Sequence, residues 1–262
     1  MKRVILIAVL VAFGIVSQSQ ENFTVIKVNG TIMLRSRGVQ LQTGTVFSGN
    51  EELLFRSEDA TAAVINPEKG RLILTSRNHD LGTAKPNFLP SMYSVSTRAA
   101  LPKMVATPEE RFSGRIVLLD KIMIRMDRSY YPMDAGNFFF LRYIYNGETI
   151  NKKLSYSGDT VIIDRKALLT VDGQPIAGPD NSRMEMYYMR ATEAALFGNF
   201  EMILPDTEQL TREVGVIIEQ FRQKNYREKV AEINAYIGDF YGKADDSDLK
   251  AWLKAVYGLK PD

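Results

Sequence analysis

Apolar and polar positions alternate with period two across most of residues 21–204, then recur with helical spacing over 206–258. Short runs fill 21–83: Phe23–Val28, Thr31–Leu34, Thr45–Phe47, Leu53–Phe55, Thr61–Ile65 and Arg71–Thr75. Asn29-Gly30 joins the first two runs. Both residues tolerate positive φ, so a hairpin is expected, with Ile26, Val28, Ile32 and Leu34 on one face. So many short strands in so few residues predict a small barrel or sandwich.

The alternation stops at 84–112, where Pro86, Pro90, Pro102 and Pro108 argue for a linker or wrapping segment, with one short helix over 108–112. It resumes over 113–204. A strand over 115–126 carries Ile116, Leu118, Ile122, Ile124 and Met126 on one face and Arg115, Lys121 and Arg125 on the other, with Asp120 falling on the apolar side. Hairpins are expected at Asn146-Gly147, between Phe138–Tyr145 and Glu148–Leu154, and at Asp172-Gly173. Further strands are expected at Thr160–Ile163, Ala167–Val171, Arg183–Arg190 and Asn199–Leu204. Together they form a second, larger β domain.

Residues 205–262 read as helices. Asp206 and Asn225 are expected caps, with Gln209 and Glu228 at the capping-box positions, and Asp246 or Ser247 caps a third helix that Gly258 ends. Their apolar stripes, which include Phe240 and Trp252, are expected to pack on the second β domain or face a partner. The predicted fold class is α+β, mainly antiparallel β with a C-terminal helical segment.

The start of the chain is an address. Lys2 and Arg3 precede an apolar run from Val4 to Val16, which spans about 20 Å as a helix, too short for a bilayer core. A signal peptide over residues 1–20 fits this pattern, and it places the protein in the periplasm or cell envelope. The 262-residue chain holds 33 basic and 31 acidic side chains; Lys2 and Arg3 account for the excess. A neutral mature chain argues against nucleic-acid binding. Residues 85–178 are net basic and 179–262 net acidic, a segregation that suits attraction within one molecule or between copies in a homo-oligomer.

A resemblance emerges in the first region. Val28-Asn29-Gly30-Thr31-Ile32, Leu41-Gln42-Thr43-Gly44, Leu53 to Ala60, Ala62-Ala63-Val64-Ile65 and Gly70 to Leu74 follow one another in order. This series resembles the FecR-type domain, a periplasmic SH3-like β module. Pro67-Glu68-Lys69-Gly70 stands where that family has an Asp-Gly turn, and Thr45 where it has an acid. The resemblance implies an envelope interaction or sensing module without catalytic residues.

The chemical inventory is thin. Absence of cysteine excludes disulfides, thiolate sites and lipobox lipidation, and a single histidine, His79, excludes multi-histidine metal sites and relays within one chain. His79 beside Asp80 reads as a loop histidine, because no G-x-S-x-G nucleophile accompanies it. Asp245, Asp246, Ser247 and Asp248 suggest a cation site, but Lys250 occupies the glycine position of an EF-hand loop, so helix capping is the better reading. Phosphate-binding glycine motifs are absent, so no nucleotide is expected. Glu109, Glu110, Asp120, Asp127 and Asp134 are available to a carboxylate-pair hydrolase. Arg115, Lys121, Arg125 and Arg128 form a basic stripe able to meet an anionic surface, so membrane contact is at most peripheral. Phe138-Phe139-Phe140 puts bulk on both sides of one strand, one for the core and one for an interface.

The expected function is an exported, cofactor-free scaffold that binds envelope proteins. Its candidate contact residues are Arg115, Lys121, Arg125, Tyr143, Tyr145, Phe240 and Trp252. The alternative is an envelope glycan- or peptidoglycan-binding protein, or a carbohydrate-active one, using aromatic stacking and a carboxylate pair.

Overall fold

The computed structural model describes residues 21–57, 59–75, 82–84, 86–90 and 111–261. The expected signal peptide, the start of the expected helix at 108–110, and His79, Asp80, Glu109 and Glu110 lie outside the described residues.

The first β unit is a two-sheet sandwich. Its strands are β1 (Asn22–Asn29), β2 (Ile32–Leu34), β3 (Val39–Gln40), β4 (Val46–Ser48), β5 (Leu53–Phe55), β6 (Thr61–Asn66), β7 (Gly70–Thr75), β8 (Gly82–Ala84) and β9 (Asn87–Pro90). One sheet has the order β4-β1-β6-β7-β9 and the other β3-β2-β5-β8, so the sheets stay open and the barrel expectation gives way to the sandwich. Phe23, Val25, Ile32, Leu34, Phe47, Phe55, Val64 and Leu74 fill the space between them. Because β8 pairs with β5 and β9 with β7, the sandwich runs past the expected boundary at 83 to Pro90.

Asn29-Gly30 is not a hairpin. β1 pairs with β4 and β6, whereas β2 pairs with β3 and β5, so the turn carries the chain from one sheet to the other. Gly30 has φ +74°, and a Cβ there would lie 2.3 Å from Ser57 Oγ. The turn residues permit the corner; competition for strand partners decides that it is one.

The second unit also layers two sheets. Its strands are β10 (Arg115–Val117), β11 (Lys121–Arg125), β12 (Asn137–Tyr145), β13 (Glu148–Lys153), β14 (Ser155–Ser157), β15 (Thr160–Asp164), β16 (Thr170–Val171), β17 (Gln174–Pro175), β18 (Arg183–Arg190), β19 (Glu193–Ile203) and β20 (Lys243–Ala244). The large sheet runs β13-β12-β18-β19-β10-β20, and a small sheet runs β11-β15-β14. Ile122, Ile124, Val161 and Ile163 meet Phe139, Leu141, Tyr143, Met184, Met186 and Tyr188 between the sheets. Both expected hairpins form, with positive φ at Asn146, Gly147, Asp172 and Gly173. Residues 167–171 differ: the short helix α1 (Arg165–Leu168) precedes a two-residue β16.

The strand expected over 115–126 is broken. β10 joins the large sheet in parallel with β19 and β20, while β11 joins the small sheet. Asp120 sits in the break and is exposed, which corrects its inward assignment: the alternation restarts at the joint.

Three longer helices follow: α2 (Thr207–Gln220), α3 (Tyr226–Phe240) and α4 (Asp246–Tyr257). Asp206 caps α2, and the capping box at Asn225 and Glu228 is complete. Asp245, one residue before the expected caps, caps α4. The stripes pack on both β units rather than on the second alone. Leu210, Val214, Ile217, Ile233, Ile237, Leu249 and Leu253 cover Ile26, Ala63 and Ile65 on the back of the first sandwich, with Val117 and Leu119 joining from the second. Helical periodicity shows which face is apolar; it does not say which sheet that face meets.

Candidate functional site

Most of the residues singled out as contact candidates serve the fold. Tyr143 is buried, donating its hydroxyl to the Leu168 carbonyl at 3.0 Å, and burial raises its pKa. Tyr145 packs against the same core. Trp252 is buried and Phe240 half-buried in the helical layer, so both contribute to packing there. Arg115, Lys121 and Arg125 of the basic stripe are paired: Lys121 with Asp164 at 3.1 Å, Arg125 with Asp159 at 2.5 Å, and Arg115 with Glu201 at 3.9 Å.

Acidic residues act mainly as ties. Asp127 accepts from Ser129 Oγ and N, and Asp134 from the Asn137 side-chain amide and from Gly136 N and Asn137 N; these bonds, the side-chain ones foremost, hold both carboxyls below the usual carboxylate range. Asp248 is 1% exposed and accepts the backbone N–H groups of Leu119, Asp120 and Lys121 at 2.8–3.0 Å. It thus fastens α4 to the joint between β10 and β11. Among the described residues, no group of three or more His, Asp or Glu side chains is placed to hold a metal.

A denser polar cluster lies between the first sandwich and the helices. The β1–β6 register steps from Val25–Val64 to Lys27–Ala63, so Ile26 is an extra, bulged residue. Without the bulge, alternation would turn Lys27 into the sandwich core. With it, Lys27 Nζ reaches Glu213 Oε1 at 3.0 Å and Tyr241 Oη at 2.8 Å. Glu213 also accepts from Gln209 at 2.8 Å, Tyr236 at 2.7 Å and Tyr241 at 2.5 Å. Burial first, and then the charge of Glu213 and the hydrogen bonds to it, push both tyrosine pKa values far upward. Alongside, wholly buried Arg71 pairs with Glu232 at 2.7 Å and with Asp239. Glu213 has no exposed surface, so a substrate has no route to it. The cluster is a lock between layers.

The outer face of the large sheet remains. At its β10–β20 end Val117, Ile203 and Ala244 lie under the helices. At the other end three cross-strand rows lie outside the three hydrophobic clusters. Phe138, Met189 and Ala194 form the first row; Lys153, Phe140, Tyr187 and Leu196 the second; Asn151, Arg142, Glu185 and Asn199 the third. Leu196 is 52% exposed. Phe140 and Tyr187 stack with centroids 5.1 Å apart, and the Arg142 guanidinium lies 4.5 Å from the Tyr187 centroid. Lys153 Nζ sits 3.8 Å above Phe138. Among the described residues, neither Arg142 nor Lys153 has a carboxylate within ion-pair distance, in contrast to the paired stripe on the small sheet. The consecutive phenylalanines pointed to this face; Met189 and Leu196 were missed because their segments are apolar on both sides.

A hollow of about 360 Å³ beside Asn225, Tyr226, Arg227 and Pro261 lies at the start of α3, where the capping box already uses Asn225. Neither family models, nor curated proteins, nor solved structures match this chain.

Proposed function

We propose that this chain is an exported, non-catalytic interaction protein of the bacterial cell envelope that holds a protein partner on the open face of its large sheet. One observation carries the reading. On the part of the sheet that the helices leave uncovered among the described residues, Leu196 is exposed, Phe138, Tyr187 and Met189 are half-buried and Phe140 is buried beneath its neighbours, where an antiparallel sheet facing water carries polar side chains. The signal-peptide pattern of residues 1–20 and the FecR-type resemblance of 28–74 support an envelope location. The glycan reading has less support: Phe140 and Tyr187 turn their faces on each other and Lys153 covers Phe138, whereas sugar stacking needs open ring faces.

The test is brief crosslinking in the native envelope, affinity purification of the mature chain and mass spectrometry. Near-stoichiometric recovery of an envelope protein is expected, with loss in a folded Leu196→Glu variant. Recovery of the chain alone, or with glycan attached, would overturn the proposal.

A further inference from the structure

We infer that the partner adds an extended strand of alternating acidic and apolar residues to the free edge of β13; this rests on the reading of the same face above. Tyr145 and Glu148 flank a two-residue turn with φ +52° at Asn146 and +75° at Gly147, which makes them a hydrogen-bonded pair. Alternation makes Tyr143–Ile150 and Leu141–Lys152 hydrogen-bonded pairs too, consistent with the Leu154 N–H bond to the Phe139 carbonyl at 2.9 Å. Thr149, Asn151 and Lys153 therefore point their backbone N–H and C=O groups away from β12. Among the described residues β13 is the terminal strand of its sheet, so these groups form an edge that no other described strand pairs with.

Side-chain chemistry defines what fits. An added strand places every second side chain on the outer face, beside Thr149, Asn151 and Lys153. Among the described residues Lys153 lies against a ring with no carboxylate within ion-pair distance, although the Asp134 carboxyl feels its charge, and Glu185 already stands opposite Arg142, so an acidic residue is matched beside Lys153. The alternate side chains fall beside Ile150, which is partly buried against the core between the sheets, so apolar residues are matched there. Lys152 is already engaged by the Thr170 carbonyl. A second copy of β13 is a poor occupant. Outward-facing residues must pair with outward-facing residues, so Glu148 never stands opposite Lys153 and the lysine stays uncompensated.

The experiment uses the whole mature chain and two fluorescent octapeptides, one alternating valine with glutamate and one alternating valine with lysine. The glutamate peptide is expected to bind and to shift the amide resonances of Thr149, Asn151 and Lys153, with the lysine peptide at least about five-fold weaker. Lys153→Glu should reverse that preference. Asn151→Pro removes one outward N–H that β12 does not use, so it should abolish binding while the protein stays folded. No binding, equal binding of both peptides, or binding unaffected by Asn151→Pro would overturn the inference. If the envelope experiment captures a protein partner but the glutamate peptide fails here, strand addition falls and the proposed function stands.

Discussion

Lys27 on β1 and Glu213 on α2 meet at 3.0 Å across 186 residues of chain, and a single bulged residue, Ile26, makes the meeting possible. Glu213 is completely buried and Lys27 nearly so. Breaking a buried pair by removing one partner leaves the other charge uncompensated, which costs about 3–5 kcal/mol. Lys27→Met is therefore expected to destabilise by that amount in urea unfolding. Lys27→Met with Glu213→Gln should cost less than the two single changes combined, because the double variant buries no lone charge.

Asp248 ties two units together through three backbone N–H groups. An asparagine in its place keeps one acceptor oxygen and turns an NH2 toward donors. Asp248→Asn is expected to cost about 2–3 kcal/mol. Hydrogen exchange should accelerate at Leu119, Asp120 and Lys121 before the strands of the first sandwich respond.

Burial raises the Glu232 pKa above its ordinary 4.5, and Arg71 only partly opposes this. A carboxyl raised in the folded state favours folding more as pH falls through its folded pKa, until its unfolded value is reached. Glu232→Gln removes that contribution. The difference in Tm between Glu232→Gln and the unaltered protein should therefore shrink as pH falls toward 4.5; a constant difference would refute the assignment.

Gly30 and Gly173 both have positive φ, but only Gly30 is crowded, with Ser57 Oγ 2.3 Å and Ala60 Cα 3.1 Å from a built Cβ. Gly173→Ala should cost about 1–2 kcal/mol for backbone strain alone. Gly30→Ala is expected to cost roughly 3 kcal/mol or more, because the clash adds to the strain. Denaturant midpoints of the two variants separate the contributions.

Trp252 is 6% exposed inside the helical layer. Trp252→Ala should lower stability by about 3–5 kcal/mol rather than weaken partner capture selectively. Normal stability together with lost capture would return the tail to the partner surface.

What the sequence determined by itself is local. Period-two alternation, the turns at Asn146-Gly147 and Asp172-Gly173 and the caps at Asp206 and Asn225 depend on neighbours a few residues away, and each appears in the structure. The α+β class follows from the order of those elements. Only the tertiary structure decided the rest. Asn29-Gly30 suits a hairpin as well as a corner, and β4, β5 and β6 took the strand edges that a hairpin would have used. The helical stripes met the first sandwich because Ile26, Ala63 and Ile65 left an apolar back face there. The open rows on the large sheet were hidden for a similar reason. Residues 138–140 and 187–189 are apolar at successive positions, so alternation alone cannot tell the core face from the outer one. Their cross-strand partners, fixed by pairing between distant segments, separate the two faces.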